Sequence, residues 1–274
     1  MSFMNVNDLN YHYEVNGTGP LLVLLHGFTG SAENWASHAS VFAEYFQVIT
    51  VDLPGHGLTD APDDLVRYAM EPVAADVMSL LESITDEAAN LVGYSMGGRL
   101  ALYLALHYAS RFQALILESA SPGLKTEAER IERIERDEAL ADRLERDGIE
   151  SFVNYWGNIP LFSTQRSLPS DRRVQLRIQR LKNRSHGLAN SLRGMGTGVQ
   201  PSLWSQLAEL EAPVLVIAGE LDVKFVEIAN EMNSLLPDSK MVIVPDAGHT
   251  IHLEQVSAFQ SAVMSFLWGE NVDC

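Results

Sequence analysis

The chain has 274 residues, with 46% hydrophobic and 20% charged, so one large domain with an insertion or two modest domains would bury a substantial core. A formal net charge of −17 excludes nucleic acid and anionic lipid surfaces as natural partners. The one cysteine, Cys274, rules out an internal disulfide, and neither a secretory leader nor an apolar run long enough for a bilayer is read, so the expected compartment is the cytoplasm, without membrane insertion.

In chain order, Leu9–Val15 alternates like an edge strand, and Leu21–Leu25 is a continuous apolar run suited to a strand buried on both faces. A helix is expected over about Trp35–Ala43, a strand over Phe46–Val51, a helix over Pro72–Ile84 and a short strand over Asn90–Val92. Arg99–Tyr108 reads as helix and Ala114–Glu118 as strand. This alternation indicates a parallel sheet covered by helices. The rhythm then breaks: Lys125–Gly148 is charged and helical, and Ser151–Trp204 offers no strand. It resumes with strand Val214–Ala218, a helix near Val226–Leu235, strand Met241–Val244 and a helix over Glu254–Leu267. The tail after Trp268 is expected to fray. The predicted organisation is a sheet core over 1–122 and 205–274, interrupted by a helical cap over 123–204.

Gly93-Tyr94-Ser95-Met96-Gly97 matches G-x-S-x-G, a turn that presents a serine between strand and helix. Asp222 follows one late strand and His249 the next, so the order Ser95, Asp222, His249 is that of an α/β-hydrolase fold. His249 would take a proton, and Asp222 would fix its tautomer. Glu220 is a spare acid nearby, whereas Asp246 precedes His249 too directly to orient it. Two main-chain N–H groups, of Met96 and Phe28, are expected to form an oxyanion hole. His26 is expected to brace the Phe28 turn, and His56 and His252 to hold loops. With no metal cluster, Walker loop or dinucleotide fingerprint, no cofactor is expected.

The stretches Gly93–Arg99, Glu118–Leu124, Glu132-Arg133 and Gly219–Phe225 together resemble the 2-succinyl-6-hydroxy-2,4-cyclohexadiene-1-carboxylate synthases of menaquinone biosynthesis. The resemblance spans nearly the whole chain. It implies elimination rather than hydrolysis: a proton leaves a cyclohexene ring, pyruvate departs, and the triad acts as a base without an acyl-enzyme. That substrate is a small polycarboxylate, which a −17 protein would repel without a local positive patch. Ser151–Trp204 carries 8 Lys and Arg against the single Asp171, a charge of +7, while only five basic residues lie outside the cap. Arg99, one helical turn past Ser95, and Arg133 are the expected carboxylate clamps, with Arg180 or Lys182 as a third. Tyr94, Tyr155 and Trp156 are expected to line the pocket, in a monomer or weak homo-oligomer.

Two rival readings use the same residues. A carboxylesterase or carbon–carbon bond hydrolase would share the triad but favour an apolar cap pocket. A non-catalytic ligand receptor would bind without turnover. Dehalogenases and most epoxide hydrolases place Asp where Ser95 stands.

Overall fold

The structure is a computed structural model that describes residues 2–269; Cys274 and the tail from Glu270 lie outside the described residues. Eight strands form one sheet: β1 (Ser2–Val6), β2 (Leu9–Asn16), β3 (Leu21–Leu25), β4 (Gln47–Val51), β5 (Ala89–Tyr94), β6 (Phe112–Glu118), β7 (Val214–Gly219) and β8 (Ser239–Val244). Their spatial order is β1-β2-β4-β3-β5-β6-β7-β8. Pairings from β4–β3 to β7–β8 are parallel, and β1 and β2 add an antiparallel edge.

The apolar run Leu21–Leu25 shows why the sheet is covered on both sides. Leu21, Val23 and Leu25 face one core, built with α2 (Met70–Ile84), α3 (Met96–His107) and α7 (Val223–Leu235). Leu22 and Leu24 face the other, with Trp35, α1 (Ala36–Phe42) and α9 (Val256–Trp268). Strand side chains alternate between faces, so a strand with no polar position needs two apolar layers. Strand β1 carries little of this signal, because only Val6 of its five residues is buried. It pairs with β2 through a two-residue turn in which Asn7 and Asp8 both have positive φ, 48° and 66°. That left-handed pair is the hairpin signal, since it matches the twist of the strands it joins. The helix expected over Glu254–Leu267 is α9, preceded across Gln255 by the four-residue α8 (Ile251–Glu254).

Between β6 and β7 the insertion is helical. Helix α4 (Glu127–Trp156) starts in a capping box between Thr126 and Glu129, with N–H to side-chain bonds of 3.2 and 2.9 Å. It breaks stride at Gly148 (φ 77°) and then continues past it. Helices α5 (Ser170–Leu181) and α6 (Ser185–Met195) follow. A small core of Ala141, Leu144, Phe152, Leu188, Ala189 and Leu192 closes over Phe28, which rises from the sheet domain. No helix among the described residues is long and apolar enough to cross a membrane.

Several histidines are sealed in this fold. Burial pulls the imidazoles of His38 and His56 from 6.5 down to about 3. Each therefore takes up its proton on unfolding, and the stability it contributes is whole above pH 6.5 and drains away as the pH falls towards 3. At pH 5 the loss is about 2 kcal/mol per imidazole. Burial pushes the Asp52 carboxyl up, but His12, His26 and the N–H groups of Ala32 and Leu58 together hold it below its ordinary value, so it pulls in the same direction in still more acid solution. Urea midpoints are expected to drop between pH 7 and pH 5, and the drop should shrink in His56→Gln. A wild-type midpoint independent of pH over that range would contradict it.

Candidate active site

Three strand ends converge on one point. Ser95 follows β5, Asp222 follows β7 and His249 follows β8, all at the carboxyl edge of the parallel sheet, where α/β folds leave their crevice. Ser95 sits at φ 50°, ψ −106°, a conformation that costs energy for any side chain. The turn is held by the Ser95 N–H to Glu118 C=O bond of 2.9 Å and by the crowding of its glycines. A Cβ on Gly97 would lie 2.3 Å from the Leu25 carbonyl oxygen, and one on Gly93 would lie 2.5 Å from that of Gly97.

His249 accepts the Ser95 hydroxyl across 3.1 Å at Nε2 and donates from Nδ1 to Asp222 Oδ2 across 2.7 Å. The carboxylate thereby fixes the tautomer whose Nε2 lone pair faces the serine. The ring is 2% exposed, packed edge-on to Phe225 at 4.6 Å and tilted against Tyr94 at 5.5 Å. The Asp222 loop is tied to the His249 loop by Leu221 N–H to Ala247 C=O, 2.9 Å. Glu220 is turned to the Asp246 N–H at 3.2 Å, and the carboxylate that meets His249 is that of Asp222. The N–H groups of Phe28 and Met96 find no protein acceptor among the described residues, which leaves two donors free beside Ser95.

His26 donates from Nδ1 to Gly27 C=O (2.8 Å) and accepts the Leu53 N–H at Nε2 (3.0 Å). Both nitrogens are used on backbone, and burial holds the ring neutral. His56 donates to Pro54 C=O at 3.1 Å, and His252 is bound to Glu118 at 2.9 Å. All three hold loops.

The pocket above Ser95 encloses about 210 Å3. Tyr94, Arg99, Arg133 and Trp156 line it with Phe28, Met96 and His249. The Tyr94 hydroxyl is bonded to Thr250 Oγ1 at 3.0 Å. Arg99 is 8% exposed and donates from Nη1 to Met195 C=O (2.8 Å) and Gln200 Oε1 (2.6 Å), with no carboxylate in contact. Burial, aided by the charge of Arg133, lowers its pKa to about 9. Arg133 is partly committed to Asp137, 2.8 Å away.

Three expected lining residues lie elsewhere. Tyr155 is 41% exposed and stacks under Arg143, because it points outward where Trp156, one residue further round α4, points in. Lys182 is exposed and bound to Glu33 at 2.6 Å. Arg180 is buried in a neighbouring cleft that shares Phe28, Tyr94 and Phe162 with the pocket above Ser95. Among the described residues, no basic side chain of Ser151–Trp204 lines the pocket above Ser95: Arg193 is consumed by Glu138, Asp142 and Glu145, and Arg177 by Glu150. Segment charge and site charge differ because acids from neighbouring elements neutralise the outer face.

Lys224 lines the pocket and went unnoticed in the sequence reading. Its signal was present, since it is one of the five basic residues outside the cap and lies two residues past Asp222. Leu161 and Phe162 also line it, from a 3-10 strap whose sequence has no periodicity to read. Lys224→Ala is expected to weaken substrate capture several-fold, more so at low salt, while Lys182→Ala leaves kcat/KM within about twofold. Equal effects of the two would contradict this map.

The α/β-hydrolase fold family model matches residues 20–256. A Bacillus subtilis protein provisionally named 2-succinyl-6-hydroxy-2,4-cyclohexadiene-1-carboxylate synthase is 49% identical over 93% of this chain and 94% of its own. The synthase of that name from Serratia proteamaculans is 33% identical over 90% and 93%. Among solved structures, MenH from S. aureus superposes with a TM-score of 0.90 at 41% identity, covering 94% of this chain and 97% of that one. A thermophilic esterase from Thermogutta terrifontis, solved with malate bound, gives 0.86 at 27% identity over 97% of both chains. The chain belongs to the 2-succinyl-6-hydroxy-2,4-cyclohexadiene-1-carboxylate synthase family of α/β hydrolases.

Proposed function

We propose that this enzyme is a cytoplasmic carbon–oxygen lyase that eliminates pyruvate from 2-succinyl-5-enolpyruvyl-6-hydroxy-3-cyclohexene-1-carboxylate, leaving 2-succinyl-6-hydroxy-2,4-cyclohexadiene-1-carboxylate. The observation that carries this reading is a serine–histidine pair opening into a pocket with three basic side chains, Arg99, Arg133 and Lys224. An acyl-transfer pocket for neutral esters has no use for a buried guanidinium free of any carboxylate, whereas a polycarboxylate substrate supplies its missing partner.

In this mechanism Asp222 holds His249, His249 takes the Ser95 proton, and the serine oxygen takes the ring proton. The proton comes from ring C2; its electron pair forms the C2=C3 double bond, and the former C3=C4 pair shifts to C4=C5 as the C5–O bond breaks. Enolpyruvate leaves and tautomerises to pyruvate. The N–H groups of Phe28 and Met96 hold the substrate oxygen on which charge develops. No bond forms between Ser95 and carbon.

The malate-bound esterase of the same fold keeps the ester-hydrolase reading alive as the alternative. The two separate on p-nitrophenyl acetate: the lyase turns it over poorly and without a burst, while the enolpyruvyl substrate is consumed with no mass added to Ser95. A stoichiometric burst of p-nitrophenol followed by efficient turnover, with no pyruvate from the other substrate, would establish the esterase.

A further inference from the structure

Four acids are buried among the described residues: Asp52, Asp76, Glu118 and Asp137. Three of them are bonded on both carboxylate oxygens. Asp52 accepts from Ala32, Leu58 and His12, Asp76 from Asn7, Tyr11 and Arg67, and Glu118 from the ring and the N–H of His252. Asp137 is the exception. It is 5% exposed and is the one buried acid of α4. Its Oδ1 accepts from Arg133 Nε at 2.8 Å, while its Oδ2 is sealed away without a partner. A buried carboxylate held by a single bond costs stability, so its retention calls for a purpose.

The place of Asp137 supplies one. It lines a shallow outer cleft with Arg136 and Arg143, and Gly196 of the catalytic pocket's wall packs on it. A Cβ on Gly196 would lie 2.6 Å from Asp137 Oδ2, although the φ of −58° there admits any side chain. Arg133 lines both the outer cleft and the pocket above Ser95. Held at Nε, it has neither Nη nitrogen bonded to protein among the described residues. Arg99 reaches the same wall, where it donates to the Met195 carbonyl beside Gly196. Burial pushes the Asp137 carboxyl up, and Arg133 and Arg99 both draw it down, so the three charges sense one another.

We propose that Asp137 is a positioning residue for substrate capture: it grips Arg133 from behind, at Nε, so that both Nη nitrogens are presented to a substrate carboxylate, and its charge offsets the repulsion between Arg133 and Arg99. The inference rests on the polycarboxylate reading of the pocket. A side-on grip suits the task, since a fork-to-fork pair would consume the donors that the substrate needs. Residues 133 and 137 lie four apart on one helical face, so α4 itself holds the carboxylate in register with the guanidinium. The Arg136–Glu132 pair on the same helix has the same spacing but stands in solvent, where it contributes little.

The sign of the effect on KM separates this role from a merely structural one. By charge alone, removing an acid beside an anion pocket tightens capture of a polycarboxylate, so KM would fall or hold. Positioning predicts the opposite. With the enolpyruvyl substrate, Asp137→Ala should raise KM about tenfold, and Asp137→Asn, which restores an acceptor for Nε without the charge, about threefold, with kcat within about twofold in both. Asp137→Asn also carries the test if the alanine variant does not fold. In an Arg133→Ala background, Asp137→Ala should change KM by less than about twofold, because no guanidinium is left to aim. Crystals of Asp137→Ala should show the Arg133 guanidinium swung from the pocket wall, a readout that needs no turnover. Pyruvate release by the wild type is measured alongside, so failure of the lyase reading shows in the wild type alone. A KM for the Asp137 variants at or below the wild-type value, a full loss persisting in the Arg133→Ala background, or an unmoved Arg133 in the variant crystal would overturn the proposal.

Discussion

Ser95→Ala is expected to lower kcat by about three orders of magnitude or more, because triad members act as a unit and removing one forfeits the contribution of all. The fold should tolerate the change. The Ser95 hydroxyl has one partner, His249 Nε2, and bonds nothing structural. The positive φ at this position strains serine and alanine alike, so the elbow stores the same energy in both. Melting temperature should therefore hold while turnover collapses. A folded variant retaining a tenth of wild-type activity would remove Ser95 from the chemistry, and with it the proton path through His249.

Arg99→Ala should lower kcat/KM by about 30-fold or more. Losing a buried charge-assisted contact typically costs about 2–5 kcal/mol, part of it from leaving the partner charge unpaired. Arg99 suits that cost because it is buried, lacks a carboxylate and sits one helical turn beyond Ser95 at the start of α3. Arg99→Lys should recover only part, since a point charge does not reproduce a planar fork. The Met195 carbonyl and Gln200 side chain also lose their donor, so the alanine variant should loosen the wall formed by Met195, Gly196 and Thr197. Gln200→Leu separates the two effects: it disturbs the anchoring and keeps the charge, and should cost much less. If Arg99→Ala matches wild type at two ionic strengths, the carboxylate clamp loses its best-placed member.

The parts of the molecule legible in the sequence are those in which one short stretch answers to one local constraint. The elbow around Ser95 needs glycines because backbone passes within bonding distance of where their side chains would be. The runs at β3 and β7 are apolar throughout because both faces are covered. The order Ser95, Asp222, His249 follows from the order of strands β5, β7 and β8. The insertion between β6 and β7 is helical, but the direction of its side chains is not legible in the sequence. Which way Tyr155 or Trp156 points depends on the packing of α4 against α6, and whether Arg193 is free depends on three acids some fifty residues away in sequence. Such pairings leave no periodic trace. Segment charge misleads for the same reason: the cap carries the excess of arginine, whereas two of the three cations lining the pocket above Ser95, Arg99 and Lys224, belong to the sheet domain.

Removal of a ring proton and expulsion of pyruvate by this hydrolase-like site are checked by following both products from the enolpyruvyl substrate at once. Pyruvate is measured by coupled oxidation of NADH and the conjugated ring by its own absorbance. The two are expected to appear together, one to one from the first turnover, and Ser95→Ala is expected to abolish both. Disappearance of the substrate without pyruvate, or pyruvate formed without the conjugated ring, would contradict it.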